Sequence, residues 1–198
     1  MNMKSKINNL LKLSAIFCVI IFLVLKYLKG SETLLDNWEL ITQAAGYSAI
    51  LTLVYEKWIW RINPLIKIPK FKKEYGGLIK YEYNGIQGTK NIDIKISQTL
   101  TNVNVSIKSD EITSKSITSE LVEENNKYVL YYTYITQPKS EFSDENPIQY
   151  GTCKVLVDDV KEFHGIYWTT SKTKGDIYFV ENKKDSQAIF YRSTSFPK

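Results

Sequence analysis

From Gly77 onward the hydrophobic pattern of this chain has the period of a strand, and it keeps that period to residue 182. Eight candidate strands follow, at 77–84, 91–98, 102–108, 112–122, 127–137, 148–157, 162–171 and 175–182. Short turns such as "NGIQG", "EENNK" and "TKGD" separate them, and only "PKSEFSDENP", held between Pro138 and Pro147, is longer. Connections of hairpin length join antiparallel neighbours, because a parallel pair needs a long crossover. Eight sequential antiparallel strands are best relieved of their two open edges by closing on themselves. The expectation is an all-β domain, a small eight-stranded antiparallel barrel, with a two-sheet sandwich as the alternative.

The first 60 residues follow a different rule. Leu13 to Leu25 are uncharged and lie between Lys12 and Lys26. Thirteen helical residues reach only about 20 Å, but lysines that snorkel extend the segment to Leu10–Leu28, about 28 Å, close to a bilayer core of about 30 Å. A second uncharged run spans Leu40 to Tyr55, with Tyr55, Trp58 and Trp60 as an expected interfacial belt. Its Ala44, Ala45, Gly46, Ser48 and Ala49 allow two helices to approach closely. No small-residue cleavage site follows the first run, so it reads as a retained span rather than a removed signal. Lys4, Lys6 and Lys12 precede the first run, and Lys57, Arg61, Lys67, Lys70, Lys72 and Lys73 follow the second. The short connection holds Glu32, Asp36 and Glu39 beside Lys26 and Lys29. The positive-inside bias then predicts both termini and the barrel in the cytoplasm, behind a two-span hairpin. The expected organisation is a hairpin over 1–61, a basic linker over 62–76 broken by Pro64 and Pro69, and a sensor-sized domain over 77–198.

Charge excludes several functions. Residues 1–75 hold 11 Lys/Arg against 5 Asp/Glu, a balance of +6, while residues 76–198 hold 15 against 16, a balance of −1. The β domain is therefore no electrostatic glove for polymeric DNA or RNA. Cys18 and Cys153 lie in dissimilar regions, so no disulfide joins them, and one histidine, His164, makes no multi-histidine metal site. His164 has no nucleophile motif beside it, and Asp158, Asp159 and Glu162 read as a solvated turn. Neither catalysis nor a metal or cofactor finds support.

Alternation assigns the faces. Ile92, Ile94 and Ile96 share one with Gln98; Val103, Val105 and Ile107 share another; Leu130, Tyr132 and Tyr134 alternate in "KYVLYYTYIT". In "ITSKSITSE", Ser114, Ser116 and Thr118 share a face, an unusual choice for a core because each hydroxyl must be satisfied. The apolar set is expected to close one end, leaving Gln98, Ser114, Ser116, Tyr132 and Tyr134 to line a small ligand cavity at the other. The segment "GIYWTTSKTKG" adds Tyr167, Trp168, Thr169, Ser171 and Lys172, with rings, hydroxyls and cations in one short stretch. Strand propensity accounts for many of these tyrosines and threonines, and lysines at a hairpin are ordinary.

Two spans, then "YEYNG", "ISQT", "SKSITS", "YYTYITQP", "YGT" and "GIYWTTSKTKG" in that order, resemble the CD-NTase-associated protein 15 family, the two-transmembrane β-barrel effectors of bacterial CBASS anti-phage systems. The resemblance runs to about residue 182 and lies in the succession rather than in any one motif. It implies a minimal lipocalin-like barrel that binds a cyclic oligonucleotide made by a partner nucleotidyltransferase, then self-associates and disrupts the inner membrane. Through "YEYNG" and "YGT" it adds Tyr81 and Thr152 to the expected binding residues. It also leads one to expect an arginine near Ser171; here the nearby cations are Lys172 and Lys174, which lack the planar fork of a guanidinium. The implied ligand is a cyclic dinucleotide, whose bases stack and whose phosphates take hydroxyls and cations. The rival readings are a membrane-anchored lipocalin-like carrier of an apolar molecule and a ligand-free assembly scaffold.

Overall fold

The computed structural model describes residues 3–30, 33–144 and 147–181. It divides into a helical unit, residues 1–67 with Thr99–Thr101, and a second unit made of the remaining chain. Glu32, Glu145, Asn146 and the expected strand end at residue 182 lie outside the described residues.

The helical unit holds α1 (Met3–Lys29), α2 (Leu34–Lys57) and a 3-10 turn at Ile59–Arg61. Thr33 caps α2: its hydroxyl accepts from Asp36 N at 3.1 Å, and the Asp36 carboxylate accepts from Thr33 N. The helices pack on each other. The buried positions of α2 recur every four residues as Leu40, Ala44 and Ser48, a narrow seam of one leucine and two small side chains. Outside that seam the apolar residues face outward, among them Val19, Leu23, Ile50 and Leu53. By length and composition α1 alone, among the described helices, is apolar enough to cross a membrane. The second run does form a helix, but Asp36, Glu39 and Gln43 dilute its first turns. Trp58 is exposed, whereas Trp60 is fully buried with Arg61 over its ring, so Trp60 leaves the expected aromatic belt.

The second unit is a closed barrel of eight antiparallel strands in sequence order, β1 (Glu74–Tyr83), β2 (Ile86–Gln98), β3 (Val103–Lys108), β4 (Ile112–Glu124), β5 (Lys127–Pro138), β6 (Gln149–Val157), β7 (Glu162–Thr169) and β8 (Lys174–Val180). Pairing of β1 with β8, from Gly76↔Val180 to Glu82↔Lys174, completes it and leaves no open edge. Two hairpins turn on residues in left-handed backbone conformation, Asn84–Gly85 and Asn125–Asn126, which matches the twist of paired strands. Two turns differ from those the sequence suggests: Ile86–Gly88 already belong to β2, which tightens the first turn to Asn84–Gly85, and the β7–β8 turn is shifted to Thr170–Thr173, because β7 ends at Thr169 and β8 begins at Lys174.

One end of the barrel is filled. Phe163 stacks on Phe179 at 4.4 Å between centroids, with Tyr75 edge-on at 5.2 Å and Phe71 at 5.5 Å. Ile92, Ile94, Ile96, Val103, Val105 and Val155 complete this core. The connections β1–β2, β3–β4, β5–β6 and β7–β8 all lie at the opposite end. The alternation in "SKSITS" breaks there. A register shift between Ser116 and Thr118 pairs Thr118 with Thr133 on the outer face, and Ser119 takes the inner position opposite Tyr132. Thr118 therefore leaves the face it shares with Ser114, because a bulge inserts one residue and inverts the parity beyond it.

Candidate functional site

A cavity of about 420 Å³ opens at the end opposite the aromatic plug, within the range of small-molecule sites. Tyr81, Ser114, Tyr134, Tyr167, Thr169 and Ser171, all expected from the sequence, line it. Strand parity puts them there. Tyr134 on β5, Gly151 on β6 and Thr169 on β7 stand directly opposite one another, and Tyr81 on β1 faces Gly88 on β2.

The other six expected residues are placed elsewhere. Gln98 shares the inner face but sits at the filled end, where its Oε1 accepts from Phe71 N at 2.9 Å and its Nε2 donates to Pro69 O at 2.7 Å. It fastens the segment before β1 across the barrel end and is 7% exposed. Ser116 spends its hydroxyl on the backbone, accepting from Val105 N at 3.0 Å where the β3–β4 ladder has ended. Tyr132 lies one position deeper than Tyr134, ring centroids 5.9 Å apart, and is buried rather than cavity-lining. Thr152 and Trp168 face each other on the outer surface. Trp168 borders an external groove of about 770 Å³ with Lys80 and Lys174. Lys172 is an exposed turn residue at φ 63° and does not line the cavity. The segment "GIYWTTSKTKG" thus turns Tyr167, Thr169 and Ser171 inward and leaves Trp168 and Lys172 outside.

Further lining residues went unread in the sequence. Lys90 ion-pairs with Glu111, side chains 32% and 28% exposed, and its Nζ stands 5.5 Å from the Tyr81 ring centroid. A signal was available, since Lys90 shares parity with Ile92, Ile94 and Ile96 and is a lysine on an inward face. Thr136 continues the Tyr132–Tyr134 alternation, and Gln149 pairs with it across the β5–β6 ladder. Cys153 adds a thiol to the wall.

The electrostatics are those of a neutral binding surface. Burial raises the phenols of Tyr134 and Tyr167, each with a further push from Cys153. The Cys153 thiol itself is pushed up to about 12 by burial. These groups keep their protons near neutrality and offer hydrogen-bond donors rather than nucleophiles. Lys90 is the one cation among the described lining residues, and its partner carboxylate balances it. Two buried oxygens of the wall, Gln149 Oε1 and Thr169 Oγ1, have no hydrogen-bond partner among the described residues. Buried polar atoms are nearly always paired, so these two stand out within the wall. The site suits a ligand with flat rings and several polar edge atoms.

Comparison with known proteins agrees in extent with this barrel. A family model described as "Cap15, cyclic dinucleotide receptor domain" matches residues 66–181. The chain is also similar to CD-NTase-associated protein 15 of Staphylococcus schleiferi, 38% identical over 178 residues that cover 88% of this chain and 97% of that protein. With more than half of its length matched by the one and nearly all of the other aligned to it, the chain belongs to the Cap15 family, CD-NTase-associated protein 15.

Proposed function

We propose that this protein is a CBASS effector in the bacterial inner membrane, whose barrel binds a cyclic dinucleotide made by a partner nucleotidyltransferase. The observation that carries the reading is the coincidence of a receptor-domain family match over 66–181 with a hydroxyl- and tyrosine-lined cavity at the barrel's open end. Phenols and threonines suit ribose and phosphate oxygens, and aromatic faces suit bases. The proposed organisation is the hairpin 1–61, the basic linker 62–76 and the cytoplasmic sensor 77–198. The outward apolar side chains of α2, together with lysines flanking the pair of helices, support two crossings and a cytoplasmic barrel. Occupancy then drives self-association, and the assembled hairpins breach the membrane and kill the infected cell. No turnover of the ligand accompanies binding.

The test is thermal unfolding of the detergent-solubilised full chain with cyclic di-AMP, cyclic di-GMP, cyclic GMP–AMP and a long-chain fatty acid. A melting temperature that climbs with cyclic dinucleotide concentration is expected. A shift with the fatty acid alone would replace this reading by the apolar carrier.

A further inference from the structure

The two tyrosines that lean against the cavity wall are not equivalent. A Cβ built on Gly151 would lie 2.3 Å from Tyr134 Cζ, and one on Gly88 would lie 2.4 Å from Tyr81 Cζ. Each ring therefore lies over the glycine of the neighbouring strand and lines the cavity. The pairs sit on β1–β2 and β5–β6, four strands apart in a closed barrel of eight, hence on opposite walls. Their surroundings differ. Gly151, beneath Tyr134, is directly opposite Thr169, and Gln149 is the next inward residue of the same strand toward the mouth. Two of the three buried side-chain oxygens that have no hydrogen-bond partner among the described residues, Thr169 Oγ1 and Gln149 Oε1, thus flank the Tyr134 ring; the third, Tyr132 Oη, lies on the next inward residue of β5, deeper in the barrel. Around Tyr81 the corresponding polar groups, Lys90 and Glu111, are already paired with each other.

Resting on the cyclic dinucleotide reading above, we propose that the β5–β6–β7 wall is the base-reading half of the cavity. One base lies on Tyr134 and donates an edge N–H to Gln149 Oε1, with Thr169 Oγ1 taking a neighbouring edge atom. The second base lies against Tyr81 and is held without being read. A glutamine amide distinguishes bases because it offers one acceptor and one donor at fixed spacing, and a base that leaves its buried oxygen unmet is penalised. One reading wall and one permissive wall give a definite ranking. A mixed ligand turns its favoured base toward Tyr134, and so binds like the better of the two symmetric ligands, within about the twofold statistical factor. Two reading walls would place the mixed ligand midway between them.

Titration calorimetry of the full chain with cyclic di-AMP, cyclic di-GMP and cyclic GMP–AMP tests this. The symmetric ligands are expected to differ by roughly tenfold or more, and the mixed ligand to match the tighter one. Gln149→Leu is expected to erase most of that difference, and Thr169→Val to reduce it, with unliganded melting temperatures showing that both variants fold. Equal affinity for the symmetric ligands, a mixed ligand midway or tighter than both, or an unchanged ratio in Gln149→Leu overturns the one-wall assignment and leaves the receptor reading standing. Absence of binding by all three probes overturns the receptor reading itself.

Discussion

Among the residues of the cavity, Gly151 carries the most geometry for its size. The Tyr134 ring occupies the space that a methyl group there would need. Gly151→Ala is expected to push the ring into the lumen and weaken cyclic dinucleotide binding by about tenfold, the worth of a lost base stack, which calorimetry would read. Unchanged affinity would mean that the reclining ring is no platform. The Cys153 thiol gives a second expectation. Burial raises its pKa from 9.0 to about 12, so the folded barrel holds a proton that the unfolded chain releases first. Its contribution to stability is complete below about pH 9 and is lost as pH rises toward 12. Thermal unfolding should therefore show stability falling by up to about 1.4 kcal/mol per unit above pH 9. Between pH 9 and 10 Cys153→Ala should reduce that slope, with the buried phenols of Tyr132, Tyr134 and Tyr167, also raised by burial, carrying the remainder. A slope identical in the variant would assign the loss to other groups. At this scale the sequence was legible in part: alternation put Tyr134 on an inward face, but it left both faces of "GIYWTTSKTKG" as candidates, and pairing of Lys90 with Glu111 joins strands that only the closed fold brings together.

At the scale of elements, the period-2 pattern located all eight strands, and hairpin-length connections gave their antiparallel order. Alternation reports a face, however, and not a height along the barrel axis. Gln98 shows the difference, for it is inward as its neighbours Ile94 and Ile96 imply, yet it belongs to the plugged end. The bulge in β4 was illegible for a related reason. The shift between Ser116 and Thr118 depends on the register with β5, a partner that local sequence does not reveal. Gln98→Leu separates the structural role from a ligand role. It removes the side-chain partners of Phe71 N and Pro69 O and is expected to cost about 2–4 kcal/mol in denaturant unfolding, with ligand affinity in the surviving folded protein unchanged. A large loss of affinity at unaltered stability would return Gln98 to the binding site. The helices were legible as helices, but composition alone treated the two runs as equal spans, whereas Asp36, Glu39 and Gln43 make α2 the more polar of the pair.

Considered as a whole molecule, the chain joins a barrel matched by a cyclic dinucleotide receptor model to a pair of helices, one of them apolar enough to cross a membrane, and the proposed function requires the first to control the second. A pair of helices whose seam is Leu40, Ala44 and Ser48 has too little inward polar surface to line a pore alone. Under the proposed function, membrane damage would therefore need several copies. Ligand can promote their assembly only by binding the associated state more tightly than the monomer, because equal affinity for both states shifts no equilibrium. In cells the full chain is expected to be harmless until a cyclic dinucleotide is synthesised, and then to cluster and admit a membrane-impermeant dye. Thr169→Ala combined with Tyr134→Ala should stay inserted but remain dispersed and harmless, since the defect lies in sensing. A chain lacking residues 1–60 should lose toxicity whether or not ligand is present. Fluorescent fusions followed alongside dye entry during messenger synthesis distinguish the two defects by location and by clustering. If cells expressing the chain without residues 1–60 still admitted dye when the messenger appeared, the hairpin would be no more than an anchor, and killing would have to be sought in the barrel.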